Sequence, residues 1–354
     1  MKIGFIGNLG NKDTIGGQIT KTRELLAYLF EYTENQNIAS EIRGGCSDNA
    51  FSQSWIDILD VGKKQDICTA IASLIKIFRN CDNIIVILAS TGYFRLLPIM
   101  YLINKIFKRK VYEICIGGIR YEFLNRVNIF LEHSITAIYV ETMYMLEKYK
   151  EVGLDKVYYM PNFKKIYRNA IPEKNTSELK ICTFSRIDEN KGIDTAVQIM
   201  KKLENRDDIS LDIIGPVKEE YEVIFEEIIG HSGKNVKYCG SVKRDDINDY
   251  LGKYDVLLFP TRWKAEGFPG IFLDAFENGI IVLATDLPAF QNVIINDKNG
   301  RLFPVNGIEE YARYILELAD NTEKRRKMKN TAFEYSKKYD SKHVLMHLVD
   351  DIFG

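Results

Sequence analysis

The sequence has little of what metal sites, disulfide frameworks and membrane spans are built from. Among its 354 residues are four histidines and six cysteines, and no two cysteines form a C-x-x-C pair, so a zinc knuckle or a thioredoxin-type site is not indicated. The longest apolar run, residues 96–103, is far below the roughly 20 residues that span a bilayer. The run at residues 1–7 is too short for the core of a signal peptide. We therefore expect a protein of a reducing, cytoplasmic compartment.

Neither sign of charge dominates. The chain has 48 Lys and Arg residues against 49 Asp and Glu residues, a formal net charge of −1, which gives no general attraction to nucleic acid. Hydrophobic residues make up 46% and charged residues 27%, as in folded soluble proteins, which argues against disordered and collagen-like classes. At roughly 150 residues per domain, the length predicts two domains.

Short apolar runs alternate with longer amphipathic stretches along the whole chain. Apolar runs of this length between turn residues are typical of strands buried on both faces. Their alternation with helical patterns predicts an α/β fold with parallel sheets covered by helices. The predicted strands are 3–6, 84–88, 111–116, 136–140, 157–160, 179–184, 211–214, 236–238, 256–259 and 281–284, and the predicted helices include 20–30, 67–78, 195–203 and 308–318.

A polar segment divides these units into two sets. Residues 169–178 contain Pro172 and no apolar periodicity, which indicates a linker between domains at 1–168 and 179–339. In open parallel sheets, ligands bind beyond the carboxyl ends of the strands. Motifs that directly follow a predicted strand are therefore the candidate sites.

The most informative motif follows the predicted strand 256–259. It reads Glu-Gly-Phe-Pro-Gly from Glu266 to Gly270 and runs into a predicted helix that contains Asp274. Its glycines let backbone N–H groups approach a ligand, and a helix start favours an anionic partner. The two carboxylates are eight residues apart, so one can meet the reacting end of a ligand while the other binds hydroxyl groups further along.

A second motif, Ser-Arg-Ile-Asp-Glu-Asn-Lys-Gly, follows the predicted strand 179–184. Its two cations, Arg186 and Lys191, could neutralise a diphosphate without a metal ion. The alternative is that both are solvated loop charges, the usual state of Arg and Lys.

A third motif is the glycine-containing loop of residues 7–17 after the first predicted strand. Its spacing is neither G-x-G-x-x-G nor G-x-x-x-x-G-K-[ST], so dinucleotide-binding and P-loop interpretations fail. Gly16 and Gly17 could still cradle a phosphate at a helix start, and a plain flexible loop is the alternative.

Together these motifs resemble family 4 of the retaining nucleotide-sugar glycosyltransferases, which have the GT-B fold. The sequence of the Glu266–Gly270 motif with Asp274 is most similar to that of enzymes of bacterial surface and capsular polysaccharide assembly. The resemblance implies two doubly wound Rossmann-like domains whose parallel sheets face a cleft, the first for the acceptor and the second for the donor, with a final helix, 340–354, that crosses back to the first. The matching elements are Gly16-Gly17, Pro161-Asn162, Ser185-Arg186 with Lys191-Gly192, Gly240–Val242, and Glu266–Gly270 with Asp274.

The resemblance also implies roles for single residues. Arg186 and Lys191 would bind the donor diphosphate and stabilise the leaving group, Glu266 would hold the transferred sugar, and Asp274 would bind the ribose. No metal or other cofactor is expected, because such enzymes typically lack the D-x-D metal motif and so does this chain; a UDP- or GDP-sugar would be the substrate. The other implied donor-binding residues are Gly16, Gly17, Gly215, Pro216, Gly240, Val242, Gly267, Phe268, Pro269 and Gly270.

Two positions depart from the family pattern. The second acidic residue is usually Glu, and here it is Asp274, which is one methylene shorter. Many members also carry a sugar-contacting His in the segment that here contains Gly117 and Gly118. Backbone N–H groups of the two glycines could serve instead, while His133, the nearest histidine, is expected to be structural or exposed.

A basic segment in the first half is a candidate membrane or acceptor surface. Between Arg95 and Arg126 there are seven basic and two acidic residues, and an apolar run precedes the cations. Such a segment could rest on an anionic membrane, at about 1 kcal/mol per cation; the alternative is a packed helix with a solvated end. The acceptor or membrane candidates are Gly117, Gly118, Arg120, Lys105, Lys108, Arg109 and Lys110.

The function predicted from these features is a retaining, metal-independent glycosyltransferase. It would move a sugar from a nucleotide donor to a hydroxyl of a polysaccharide or lipid-linked glycan in bacterial surface glycan synthesis. One alternative is a nucleotide-sugar epimerase or hydrolase on the same fold, which would need cleft carboxylates or histidines for acid–base chemistry. The other is a non-catalytic partner subunit of a glycosyltransferase.

Overall fold

The computed structural model describes residues 1–10, 16–35, 55–63, 66–172 and 178–354. The chain divides into two units. Unit 1 comprises Met1–Asn162, Ala265–Phe268 and Val344–Gly354, and unit 2 comprises Phe163–Lys264 and Pro269–His343. The boundary after Asn162 lies ahead of the predicted linker at 169–178, of which residues 173–177 fall outside the described residues.

Within the described residues, unit 1 contains a sheet of six parallel strands in the order β2-β1-β3-β4-β5-β6. Its strands are β1 Ile3–Gly7, β2 Ile56–Asp60, β3 Asn83–Ile87, β4 Lys110–Ile114, β5 Ala137–Val140 and β6 Val157–Tyr159. Its helices are α1 Gly17–Asn35, α2 Ile67–Asn80, α3 Ser90–Phe107, α4 Arg126–Glu132 and α5 Met143–Glu151.

Helix α2 illustrates how these elements form. It begins where the Asp66 carboxylate accepts a hydrogen bond from the Thr69 N–H at 2.9 Å, which satisfies one of the helix's unpaired donors. Its buried side chains, Leu74, Ile77 and Phe78, lie in the unit 1 core with the strands. Burial of each such side chain contributes about 1.5–3 kcal/mol.

Unit 2 contains a second sheet of six parallel strands among the residues the structure describes, in the order β12-β11-β10-β7-β8-β9. Its strands are β7 Leu179–Phe184, β8 Ile209–Ile214, β9 Val236–Tyr238, β10 Val256–Phe259, β11 Ile281–Thr285 and β12 Gly300–Phe303. The helices that follow β7 are α6 Ile193–Lys201, α7 Glu222–Gly230, α8 Ile247–Leu251, α9 Gly270–Glu277, α10 Ile308–Asp320, α11 Thr322–Ser336, α12 Ser341–Val344 and α13 Met346–Phe353.

The final helix, α13, belongs to unit 1. The Asn83 side-chain amide donates to the Ile352 carbonyl oxygen at 3.0 Å, and the Tyr112 hydroxyl donates to the Asp351 carbonyl oxygen at 2.7 Å. These bonds tie the last turn of the chain to strands β3 and β4.

The predicted α/β fold with two parallel sheets is confirmed, and the ten predicted strands are present with small shifts at their ends. Two strands were not predicted, β2 and β12, and both are edge strands of their sheets. An edge strand has a neighbour on one side only, so polar residues such as Asp57 and Arg301 interrupt its apolar run. The predicted last helix is divided at Leu345 into α12 and α13.

Each sheet has one point where the strand order reverses. It lies between β1 and β3 in unit 1 and between β7 and β10 in unit 2. Ligands of doubly wound sheets bind beyond the carboxyl ends of the strands at this point. The loops after β1 and β3, and those after β7 and β10, are therefore the places where a site is expected.

Candidate functional site

Three loops at the carboxyl end of the unit 2 sheet are joined by backbone hydrogen bonds. The Ile187 N–H donates to the Pro216 carbonyl oxygen at 2.9 Å, which links the loops after β7 and β8. The Gly215 N–H donates to the Gly240 carbonyl oxygen at 2.9 Å, which adds the loop after β9. The predicted residues Gly215, Pro216 and Gly240 therefore lie in the same loop cluster as the Arg186 segment.

Arg262 links the loops on the two sides of the unit 2 reversal point. Its guanidinium donates to both Asp194 carboxylate oxygens at 2.8 and 2.9 Å, and its backbone N–H donates to the Asn190 carbonyl oxygen at 2.7 Å. A two-bond pair between a planar guanidinium and a carboxylate holds a defined geometry. Sequence reasoning missed Arg262 because its partner is 68 residues away in the chain.

Gly192 allows these loops to approach each other. It precedes α6 with a φ of +68°, and a Cβ atom there would lie 2.0 Å from the Pro260 carbonyl oxygen. A side chain at this position would force the loops apart, because backbone cannot yield as a flexible side chain can. Gly192 thus keeps Lys191 beside the loop after β10.

The two predicted diphosphate-binding cations lie on this loop cluster. The Lys191 Nζ atom is 4.8 Å from the Trp263 ring centroid and 5.8 Å from that of Phe259, which is within range of cation–π attraction. The Arg186 side chain is 65% exposed, with its Nε atom 3.7 Å from an Asp188 carboxylate oxygen. The Arg186 guanidinium is therefore accessible to an anion.

Asp274 lies on α9 and is paired with a lysine that sequence reasoning did not single out. The Lys164 Nζ atom is 2.6 Å from Asp274 Oδ1 and 2.6 Å from Glu277 Oε2. The other Glu277 oxygen accepts backbone N–H groups of Tyr167 and Arg168 at 2.7 and 3.0 Å. Burial alone would raise the pKa of Glu277, but the Lys164 charge and these hydrogen bonds outweigh it and lower the pKa.

In unit 1, the two-glycine loop after β4 lies directly against the Ala265–Phe268 segment. The Gly118 N–H donates to the Ala265 carbonyl oxygen at 3.2 Å. A Cβ atom at Gly118 would lie 1.9 Å from the Glu266 carbonyl oxygen, so the close approach requires glycine. The predicted residues Gly117, Gly118 and Glu266 are thus brought together within unit 1.

Glu141 binds both the two-glycine loop and the Ala265–Phe268 segment, and it was not predicted from the sequence. Its Oε1 atom accepts the N–H groups of Gly117 at 2.9 Å and Phe268 at 3.2 Å, and its Oε2 atom lies 3.3 Å from Lys21 Nζ. The Glu141 and Lys21 side chains are almost fully buried. A signal was present, because Glu141 directly follows β5, and ligands of such sheets bind beyond the carboxyl ends of the strands.

Gly16 and Gly17 lie at the start of α1, after β1. Among the residues that the structure describes, nothing lies within 4 Å of a Cβ atom placed at either glycine. Residues 11–15, the middle of the predicted loop, lie outside the described residues.

The structure corrects part of the predicted basic surface. Arg120 is fully buried; its Nη1 atom donates to the Leu88 carbonyl oxygen at 2.8 Å, and its guanidinium is ion-paired with Glu113. The expectation that Arg120 meets an acceptor or membrane is therefore wrong, because its charge is used inside unit 1. Arg109 is engaged as well, since its guanidinium donates to the carbonyl oxygens of Phe78 and Arg79 at the end of α2.

Glu132 is the second carboxyl group beside Arg120. It is 1% exposed, and the Tyr93 hydroxyl donates to its Oε2 atom at 3.1 Å. Burial first, and then the nearby Glu113 charge, raise the pKa of Glu132 well above its usual value. The raised pKa favours the protonated form of Glu132, and Arg120 is ion-paired with Glu113.

Two features are absent from the residues placed by the structure. No group of three or more His, Cys, Asp or Glu side chains there could hold a metal ion. No helix in the described ranges is long and apolar enough to cross a membrane. Metal independence remains a prediction from the sequence.

The two doubly wound parallel sheets define the class of the fold, which is GT-B as predicted. A solved structure of HepE from Anabaena in complex with UDP has the same fold, with a TM-score of 0.76 at 14% identity, and the match covers 99% of each chain. HepE in complex with UDP-glucose gives a TM-score of 0.73, also at 14% identity and 99% coverage of each chain. At this identity the likeness establishes the fold alone.

Sequence comparison confirms the resemblance to glycosyltransferases. Residues 166–335 match the family described as glycosyl transferases group 1. An uncharacterized 41.2 kDa protein in the cps region of Klebsiella pneumoniae is 27% identical over 173 residues, which cover 49% of this chain and 44% of that protein. The amylovoran biosynthesis glycosyltransferase AmsK of Erwinia amylovora is 25% identical over 146 residues, 40% of this chain and 36% of AmsK. The matches therefore span less than half the length of these relatives.

Proposed function

We propose that this chain is a retaining glycosyltransferase of family 4 that uses a nucleotide sugar as donor and needs no metal ion. The observation that carries the proposal is the loop cluster at the reversal point of the unit 2 sheet. It presents Arg186 and Lys191 within the segment that matches glycosyl transferases group 1. The presence of UDP and UDP-glucose in structures of the same fold supports a nucleotide-sugar donor.

In this proposal the two cations act on the leaving diphosphate. Arg186 supplies an accessible guanidinium fork for phosphate oxygens, and Lys191 supplies a point charge beside Trp263. Charge develops on the phosphate oxygen as the bond to the sugar breaks, so fixed cations stabilise the transition state more than the ground state.

Glu266 and Asp274 bind the two sugars of the donor in the same proposal. The Glu266 segment, held by Gly118 and Glu141, binds hydroxyl groups of the transferred sugar, and Asp274 binds the ribose. The acceptor hydroxyl forms its bond to the anomeric carbon on the face from which the diphosphate leaves, and its proton passes to the departing phosphate oxygen. The anomeric configuration is retained without a protein base.

The test is a nucleotide-release assay with UDP- and GDP-sugars, with and without acceptor glycans. We expect acceptor-dependent release that Lys191→Met lowers by more than about 100-fold, with an unchanged melting temperature. Lys298→Met, at an exposed lysine outside the loop cluster, is the matched control and should leave turnover unchanged.

The alternatives give different outcomes in the same assay. Release that does not depend on an acceptor would indicate a hydrolase, and a changed sugar that stays attached to its nucleotide would indicate an epimerase. Absence of any turnover together with tight binding of a glycosyltransferase subunit would indicate a non-catalytic partner. Normal turnover of Lys191→Met would contradict the role of Lys191.

The names of the relatives support a surface polysaccharide as the product. One is encoded in a cps region and another acts in amylovoran biosynthesis. We therefore propose a polysaccharide or lipid-linked glycan hydroxyl as acceptor. Transfer of labelled sugar to lipid-linked oligosaccharide, and not to free monosaccharide, is the expected result.

A second proposal concerns peripheral binding to an anionic membrane surface. Four large apolar side chains of α3 and α4 are strongly exposed: Leu102, Ile106, Val127 and Phe130. The Phe130 ring contacts Tyr101 with centroids 5.8 Å apart, and Lys105 Nζ lies 4.8 Å from the Tyr101 ring centroid. Apolar side chains beside cations suit the boundary between lipid headgroups and acyl chains.

Vesicle flotation tests this proposal directly. We expect binding to vesicles containing phosphatidylglycerol at low salt, and loss of that binding in Ile106→Asp/Phe130→Asp. The matched control is Val223→Asp, which changes an exposed apolar residue of α7 in unit 2. Equal flotation of both variants would rule out a membrane role for this surface.

A further inference from the structure

Lys164 occupies a position between two carboxylates that no part of the proposed chemistry uses. Its Nζ atom lies 2.6 Å from Asp274 Oδ1 and 2.6 Å from Glu277 Oε2, and its side chain is 15% exposed. The three side chains form a series from the interior to the surface, because Glu277 is fully buried and Asp274 is 25% exposed.

The interior end of this series is firmly anchored. Glu277 accepts two backbone N–H groups, from Tyr167 and Arg168, in addition to its contact with Lys164. The Lys164 backbone is held as well: its N–H donates to the Tyr339 carbonyl oxygen at 3.2 Å, and its carbonyl oxygen accepts the Ser341 N–H at 3.0 Å. The Lys164 ammonium group is therefore fixed in place from both ends.

The surface end retains hydrogen-bonding capacity. An ammonium group has three N–H donors; one is donated to Asp274 Oδ1, and Glu277 Oε2 lies 2.6 Å from the same nitrogen as an ion pair. Within the described residues, Asp274 Oδ1 is bound by Lys164 and Oδ2 has no hydrogen bond. An acceptor and a donor thus lie side by side at the partly exposed end.

A vicinal diol is the ligand group that fits such a pair, because each hydroxyl both donates and accepts a hydrogen bond. We propose that Lys164 determines specificity for ribose, by donating to one ribose hydroxyl while Asp274 accepts from the diol, and that Glu277 is the positioning residue for Lys164. This inference rests on the proposed donor site. It also accounts for the shorter acidic residue: Asp274 lacks one methylene of the usual Glu, and Lys164 supplies a second contact to the diol.

The test compares UDP with 2′,3′-dideoxy-UDP by calorimetric titration of the full chain. We expect the unmodified protein to bind UDP at least about tenfold more tightly than 2′,3′-dideoxy-UDP, because a site built for hydroxyl groups rejects an analogue that lacks them. Lys164→Met should lower UDP affinity by about tenfold or more, leave the affinity for the dideoxy analogue unchanged, and so bring the ratio of the two affinities close to one. Lys298→Met is the matched control and should keep the ratio.

A second variant covers the case in which Lys164→Met fails to fold. Lys164→Arg keeps the positive charge that both carboxylates need, but the longer and planar guanidinium group moves the N–H donor that would contact the ribose. We expect a normal melting temperature and a clearly reduced ratio of the UDP to dideoxy-UDP affinities. A purely structural lysine would change both affinities equally or neither.

The outcomes separate this inference from the proposed function. If the unmodified protein binds neither UDP nor GDP, the proposed function is contradicted and this inference with it. If it binds UDP and discriminates against the dideoxy analogue, but Lys164→Met or Lys164→Arg retains the full ratio, the inference is wrong while the proposed function stands.

Discussion

Two clusters of buried ionisable side chains, one in each unit, differ in their exposure to solvent. The unit 1 cluster consists of Glu113, Arg120 and Glu132, with exposures of 0%, 0% and 1%. The unit 2 cluster consists of Glu277, Lys164 and Asp274, and it becomes progressively more exposed towards Asp274. Both contain two carboxyl groups around one cation.

The difference in protonation shows what each cluster can do. The raised pKa of Glu132 favours its protonated form, in which the unit 1 cluster carries no net charge, and the cluster is closed to solvent. Glu277 is ionised because its pKa is lowered, so Lys164 is already balanced before Asp274 is counted. An enclosed cluster destabilises the fold when one of its partners is removed, whereas a cluster with an extra carboxylate at the surface can bind a ligand.

The largest expected effect comes from removal of the unit 1 cation. Arg120→Met leaves Glu113 buried without its paired cation, and we expect the free energy of unfolding to fall by about 3–5 kcal/mol, as for other broken buried pairs. Urea unfolding followed by circular dichroism measures this. Arg79→Met, at an exposed arginine of unit 1, is the control and should change stability by less than about 0.5 kcal/mol. A loss below 1 kcal/mol for Arg120→Met would mean that the unit 1 cluster is not structural.

A smaller loss is expected in unit 2. Lys164→Met also leaves a buried carboxylate, Glu277, but this group retains two backbone N–H donors, and water can reach the Asp274 end. We expect a loss of about 1–3 kcal/mol in the same urea experiment. A loss as large as that of Arg120→Met would remove the distinction between the two clusters.

The two clusters should also respond to pH in opposite directions. Above the usual Glu pKa of 4.5, the folded state holds a proton on Glu132 that the unfolded state loses, so this group lowers stability as pH rises, by up to about 1.4 kcal/mol per pH unit. Glu277 stabilises the fold above pH 4.5, and this contribution is lost as pH falls through its lowered pKa. Urea unfolding across a pH series measures both effects. Glu132→Gln should remove the loss of stability with rising pH, and Glu277→Gln should remove the loss of stability with falling pH. Matching slopes in the two variants would refute the assigned protonation states.

The smallest effect is expected for Glu132→Gln at neutral pH. The amide has nearly the same shape as the protonated acid that the raised pKa favours, so the free energy of unfolding should fall by no more than about 1 kcal/mol. Glu113→Gln is the contrasting variant, because it removes the charge that balances Arg120, and it should be strongly destabilising. If the two variants were equally destabilising, Glu132 would be ionised in the folded state.

Much of the fold and part of the candidate site could be predicted from local sequence. Strand β10 is a continuous apolar run and four of the six residues of β7 are apolar, and the motifs containing Glu266 and Arg186 follow these strands. The edge strands β2 and β12 were missed because partial exposure removes the apolar run. Arg262 and Glu141 were missed because their partners, Asp194 and Lys21, are 68 and 120 residues away.

The sequence by itself determined the class of the fold and the positions of the loops that follow strands, because hydrophobic periodicity and turn residues act over short distances. The tertiary structure decided which charges are enclosed and which are exposed. Arg120 and Lys164 are both cations outside the α-helices and the two sheets, and nothing in their neighbouring residues distinguishes them. The packing of distant elements encloses Arg120 with Glu113 and Glu132, and leaves Lys164 beside a carboxylate that solvent can reach. The cost of burying a charge depends on all the groups around it, and those groups are assembled only when the chain folds.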